Sequence, residues 1–84
     1  MASASPSPTP NPDAMKFSLD TKLPETINVR SAGDAPAGSF VERIFEAGGV
    51  ASVFGVNDFV TVTREPGADW DPIVAAVTEA VKEL

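Results

Sequence analysis

The order strand-strand-helix-strand-strand-helix, in two α+β layers, is the fold class this sequence predicts: a four-stranded antiparallel sheet with both helices packed on one face. Three observations lead there. Short alternating runs mark the strands, two apolar stripes at helical spacing mark the helices, and Asn57-Asp58 between two alternating runs marks a hairpin. Hairpin links favour antiparallel pairing, and helices with a single apolar stripe cover one face of the sheet.

The elements follow in order. Residues 1–8 are Ala, Ser and Pro after the initial Met, with nothing to bury, and are expected to form a disordered tail. Prolines at 6, 8, 10 and 12 each fix their own φ and push the preceding residue to an extended conformation. Three readings of this stiff lead-in stay open. It is a polyproline-like tail, a ligand for a proline-recognising domain, or an ordered Asn11-Pro12 turn that sets the register of the first strand. In the last case Asn11 bonds its own turn through its side chain.

Residues 13–19 alternate, with Met15, Phe17 and Leu19 on one face and Ala14, Lys16 and Ser18 on the other. That is a half-buried strand. Residues 20–25 form a polar connection containing Pro24. A second short strand, residues 26–30, turns Ile27 and Val29 inward, and residues 31–38 read as a loop. Ser39 then opens a helix through the capping box Ser39-Phe40-Val41-Glu42. Phe40, Val41, Ile44 and Phe45 make its stripe, and Gly48-Gly49 ends it.

Residues 50–56 and 59–64 are the hairpin strands. Parity places Ala51, Val53, Val60 and Val62 on one face and Ser52, Phe54, Phe59, Thr61 and Thr63 on the other. The valine face is expected to meet the helices, leaving the phenylalanine face less covered. After Pro66 and Gly67 a last helix starts at residues 69–72, where acidic side chains and Pro72 suit the first turn. Ile73, Val77, Ala80 and Leu84 form its stripe, with Val74 and Val81 alongside.

The chain has 84 residues, twelve acidic and six basic side chains, a net charge of −6, and neither cysteine nor histidine. Such a length supports one small domain, placed at residues 9–84. The charge argues against nucleic acid and anionic membrane as partners and favours a basic protein partner. No secretory signal or spanning run is visible, so the chain reads as soluble and cytoplasmic. Without Cys or His there is no thiolate or imidazole for a cluster or zinc, and no Ser-His-Asp arrangement. No phosphate loop or cofactor fingerprint is present, and enzymatic activity is not expected.

The run Thr9-Pro10-Asn11-Pro12-Asp13-Ala14-Met15-Lys16-Phe17 resembles the opening of the N-terminal domain of Nfu/NifU-type iron–sulfur scaffold proteins. Gly48-Gly49-Val50, Val53-Phe54, the run Asn57-Asp58-Phe59-Val60-Thr61-Val62-Thr63, and Asp69-Trp70 follow in that family's order. The resemblance covers roughly residues 9–84 and implies the same antiparallel α+β fold. It also implies a non-catalytic accessory module of cluster assembly or transfer that binds no cofactor directly. In the family's two-domain members a Cys-x-x-Cys domain holds the cluster. The implied partner is a protein of that pathway, such as a Cys-x-x-Cys scaffold domain acting in trans.

Each site residue has two readings. Phe54, Phe59, Thr61 and Thr63 bind a partner if the second sheet face is open, and Phe54 and Phe59 are ordinary core if the N-terminal segment folds across them. Trp70 either pins the last helix or anchors an interface. Lys16 is a solvated strand lysine or, with Asn11, Pro12 and Phe17, part of the family-like opening. Asp69 and Asp71, near Glu65, complement a helix N-terminus; the alternative is a hard-cation site through oxygen, which would make the chain a carboxylate-based iron-binding protein.

Overall fold

In the computed structural model, residues 3–23, 26–35 and 38–83 are described. Met1 and Ala2 of the expected tail, Pro24 and Glu25 of the polar connection, Pro36 and Ala37 of the loop and Leu84 of the helical stripe lie outside them.

The chain runs β1 (Ala4–Pro8), β2 (Ala14–Leu19), β3 (Ile27–Val29), α1 (Phe40–Phe45), β4 (Val50–Val56), β5 (Phe59–Arg64) and α2 (Trp70–Ala80), with short 3-10 turns at Ala32–Asp34 and Val81–Glu83. The strands form one sheet in the order β1-β2-β5-β4-β3, every neighbouring pair antiparallel. The α+β class, the antiparallel pairing and the two helices agree with expectation. The strand count does not: there are five strands, because Ala4–Pro8, expected to be disordered, pairs with β2.

Proline explains both the strand and why its sequence conceals it. Pro6 and Pro8 have the same parity, so both missing N–H groups lie on one side of the strand. On an edge strand that side faces solvent and needs no partner. Ser5 and Ser7 lie opposite Ser18 and Lys16 and keep their donors for the ladder. The proline-lined outer edge also offers little to a further strand. Asp20 fastens the start of β1, accepting from the Ser3 N–H at 2.9 Å and the Ser3 hydroxyl at 3.2 Å. At the other end, the Asn11 side chain accepts from the Asp13 N–H (2.9 Å), closing the turn into β2 as an Asx turn. The Thr9 hydroxyl lies 2.8 and 2.9 Å from the carbonyl oxygens of Asn11 and Ala14.

The register fixes the core. Phe17 sits opposite Val60, and Val60 opposite Gly55; Met15 sits opposite Val62, and Val62 opposite Val53. Phe17, Val53, Val60 and Val62 are completely buried beneath Ile44 of α1 and Ile73 and Val77 of α2. Gly55 stands in this apolar row because Leu23 lies over it; a Cβ there would come within 2.7 Å of Leu23 Cδ1. Leu23 is held by its N–H donating to the Asn57 carbonyl (2.6 Å), and Asn57 takes the positive φ of 56° that the hairpin turn demands.

One parity reading is corrected by a β-bulge. Val50 pairs with Arg64 and Ser52 with Thr63, so β4 holds one extra residue, Ala51. The shift turns Val50 into the core and leaves Ala51 half-buried, the reverse of simple alternation.

The helices form as their signals indicate. The Ser39 side chain accepts from the Glu42 N–H at 3.3 Å, and the Glu42 carboxylate accepts from the Gly38 N–H at 3.1 Å. In α1 Phe40, Val41 and Ile44 are buried; in α2 Ile73, Val77 and Ala80 are. The two helices touch each other on the same face of the sheet.

Two predictions follow from this packing. Gly49 has φ +77°, and a Cβ there would lie 2.7 Å from the Ala68 Cβ. Gly49→Ala therefore combines left-handed strain with overpacking and is expected to cost at least about 2 kcal/mol in urea unfolding. The Ser3 N–H, and secondarily the Ser3 hydroxyl, hold the Asp20 carboxyl below its ordinary 3.8. A depressed folded-state pKa stabilises above the unfolded value and is lost as pH falls through the folded one. The exchange protection of β1 amides, relative to their intrinsic rates, is thus expected to fall below pH 3.8, where Asp20 gains its proton, and Asp20→Asn should remove that pH dependence.

Candidate functional site

The face opposite the helices is built by the same alternation that builds the core. Three cross-strand rows make it up. Ser5, Ser18, Phe59 and Val56 form the first; Ser7, Lys16, Thr61, Phe54 and Asn28 the second; Ala14, Thr63 and Ser52 the third. None of these residues is buried. The first strand forms an edge rather than a cover, so the N-terminal segment leaves this face open. Phe54 is 41% exposed, the one large apolar side chain so exposed among the described residues. The Lys16 ammonium lies 4.5 Å from the centroid of the Phe59 ring, a cation–π contact that lays the lysine along the surface.

The structure therefore brings Phe54, Phe59, Thr61 and Thr63 together and adds Lys16 to them. Trp70 is elsewhere. It is the first residue of α2, half-buried against the core, with the Arg64 guanidinium 5.4 Å above its ring. Arg64 also donates to Asp13 Oδ1 (3.2 Å) and to the Ala68 carbonyl (3.0 Å). One side chain thus joins the turn before β2, the end of β5 and the start of α2. Phe17 points into the core, opposite in parity to Lys16. Asn11 and Pro12 belong to the turn between β1 and β2.

Asp69 caps α2 by position without a side-chain hydrogen bond, and Asp71 lies in the first turn; both are exposed. Among the described residues no three acidic, histidine or cysteine side chains gather as a metal site. A shallow recess beside Gly48 and Gly49, edged by Arg30, Phe45 and Glu65, has no unpartnered buried polar atom among the described residues. What the open face can do chemically is bind. It offers an aromatic surface, a row of hydroxyls and one cation.

Ser7, Ser18, Asn28, Ser52 and Val56 belong to this face but stand outside the residues singled out from sequence. Parity places Ser52 on the side of Phe54 and Ser18 on the side of Lys16. Their adjacency across strands depends on strand order, which no local pattern carries.

The geometry defines an antiparallel α+β domain with a filled core on one side of its sheet and an uncovered face on the other. The family model described as "Scaffold protein Nfu/NifU N terminal" matches residues 5–84, and the chain belongs to that family. A crystal structure of protein SAV1430 from Staphylococcus aureus is similar to it at a TM-score of 0.75 and 31% identity, over 92% of this chain and 94% of that one. "Conserved virulence factor C" of Staphylococcus aureus strain USA300 is 32% identical over 82 residues, 92% of this chain and 22% of that protein. "NFU1 iron-sulfur cluster scaffold homolog, mitochondrial" of Drosophila persimilis is 31% identical over 84 residues, 90% of this chain and 28% of that protein. The chain therefore spans between 22% and 28% of the length of these two curated relatives. No helix among the described residues is long and apolar enough to cross a membrane.

Arg64 generates the prediction here. Lysine cannot stack on Trp70 and donate to both Asp13 and Ala68 through a planar fork. Arg64→Lys is expected to lower stability by about 1 kcal/mol, a value discounted for partial exposure of the pair, and to shift Trp70 fluorescence to the red.

Proposed function

We propose that this chain is a non-catalytic accessory module of iron–sulfur cluster assembly or transfer. It docks through its open sheet face onto a protein that supplies the cluster's cysteine ligands. The observation that carries this reading is membership of the Nfu/NifU N-terminal family over residues 5–84. Composition supports the division of labour. Protein-bound clusters are held by thiolates, with histidine as the usual exception, and this chain has neither residue type. The open face supports docking, since an exposed apolar patch rimmed by polar residues marks interaction surfaces. The partner we favour is a Cys-x-x-Cys scaffold domain, and the compartment a reducing cytoplasm.

The test mixes this chain with a purified Cys-x-x-Cys scaffold domain carrying its cluster, and follows binding and cluster transfer to an apo recipient. Binding by the native chain and at least about tenfold weaker binding by folded Phe59→Glu is the expected result. Absence of binding by the native chain would falsify the pathway assignment. Full binding by a folded Phe59→Glu protein would retain the pathway and move docking to another surface.

A further inference from the structure

The charge on the open face is distributed unlike that of the rest of the molecule. The chain carries twelve Asp and Glu residues, yet none occupies the three rows of this face. Lys16 is the sole charged residue in those rows, and it forms no ion pair with a described residue. Acidic groups resume only at the ends of the strands, with Asp20 and Asp58 beyond Ser18 and Phe59 and Glu65 at the opposite end, where Asp13 is paired with Arg64. In a chain of net charge −6 this leaves one cationic, aromatic window within an acidic surface.

We infer that the open face binds a short protein segment that sets one carboxylate beside an apolar side chain, the carboxylate meeting Lys16 and the apolar group covering Phe54. The inference rests on the docking reading above and supplies the chemistry of the partner. The net charge favours basic partners elsewhere on the molecule and repels an acidic segment from every other approach. Screening over about 8 Å at physiological ionic strength confines that repulsion to short range, so a carboxylate at Lys16 interacts chiefly with Lys16. The acidic rim limits the segment in turn, because a long polyacidic stretch would meet Asp20, Asp58 and Glu65. Lys16 is already laid across Phe59, so little freedom is lost when it pairs. Phe54 offers the apolar contact, with the Thr61 hydroxyl directly opposite it as a donor.

The experiment titrates the isotope-labelled chain with the capped hexapeptide Gly-Leu-Phe-Glu-Leu-Gly and with the same peptide carrying Lys in place of Glu, followed by amide NMR shifts. The glutamate peptide is expected to shift Lys16, Phe54, Phe59 and Thr61 saturably, with the lysine peptide at least about tenfold weaker. Lys16→Glu, at an exposed position, should reverse that order. Equal response to the two peptides, shifts confined to the helical face, or no saturable response overturns the inference. Preference for the lysine peptide on this same face overturns it too, while leaving the face as a docking surface. Failure of the pathway reading is seen separately, in the binding assay with the Cys-x-x-Cys domain.

Discussion

The pairing of β2 with β5 is the constraint on which the rest depends. Phe17 opposite Val60 and Met15 opposite Val62 set the apolar residues of both strands on one side at the middle of the sheet. Each fully buried side chain of this kind contributes about 1.5–3 kcal/mol of apolar transfer free energy. A slip of one residue would move all of them to the water side and bring Lys16 and Ser18 into the core. The buried side and the open side are therefore one decision. Whatever the outer face does, it is held in place by the inner face and cannot be rearranged without cost to the core.

Around this seam the ends of the sheet are closed by different devices. Proline parity makes Ala4–Pro8 an edge strand whose outer side lacks donors. The extra residue Ala51 twists the start of β4 so that Val50 enters the core beside the helices. Arg64 closes the far end, holding Asp13, the Ala68 carbonyl and Trp70 with one guanidinium. These devices share a consequence. The helical layer is anchored at its rim as well as through its stripe, so the open face is backed by a layer held at both its centre and its edge.

That support matters because the chain's sequence contains no side chain of the kinds that hold a cluster. In the docking role proposed above, the domain positions a ligand-bearing partner, and positioning needs a surface with directional groups. The uncovered rows provide an aromatic surface, hydroxyls and a single pre-laid cation. Membership of the Nfu/NifU N-terminal family gives this surface a context, while the recognition chemistry proposed for it comes from its own residues.

Much of this was legible locally. The capping box at Ser39, the hairpin about Asn57-Asp58, the division of Val53, Val60 and Val62 from Phe54, Phe59 and Thr61, and the Asx turn at Asn11 are all short-range physics of propensity, parity and turn chemistry. The strand at Ala4–Pro8 was not legible, because its apolar content is negligible and its stability comes from backbone bonds to β2 and the Asp20 clasp. The bulge at Ala51 was hidden for a similar reason, since it exists only relative to the partner strand. Sequence alone determined which side of β2, β5 and the later part of β4 would be wet or dry, because alternation is a property of neighbours along the chain. Only the tertiary structure decided that Lys16 would lie on Phe59, that Arg64 would cover Trp70 and that the N-terminal segment would pair edgewise and leave the face open. Those contacts join different elements, from six positions apart for Arg64 and Trp70 to more than forty for Lys16 and Phe59, and they form only once strand order and register are set.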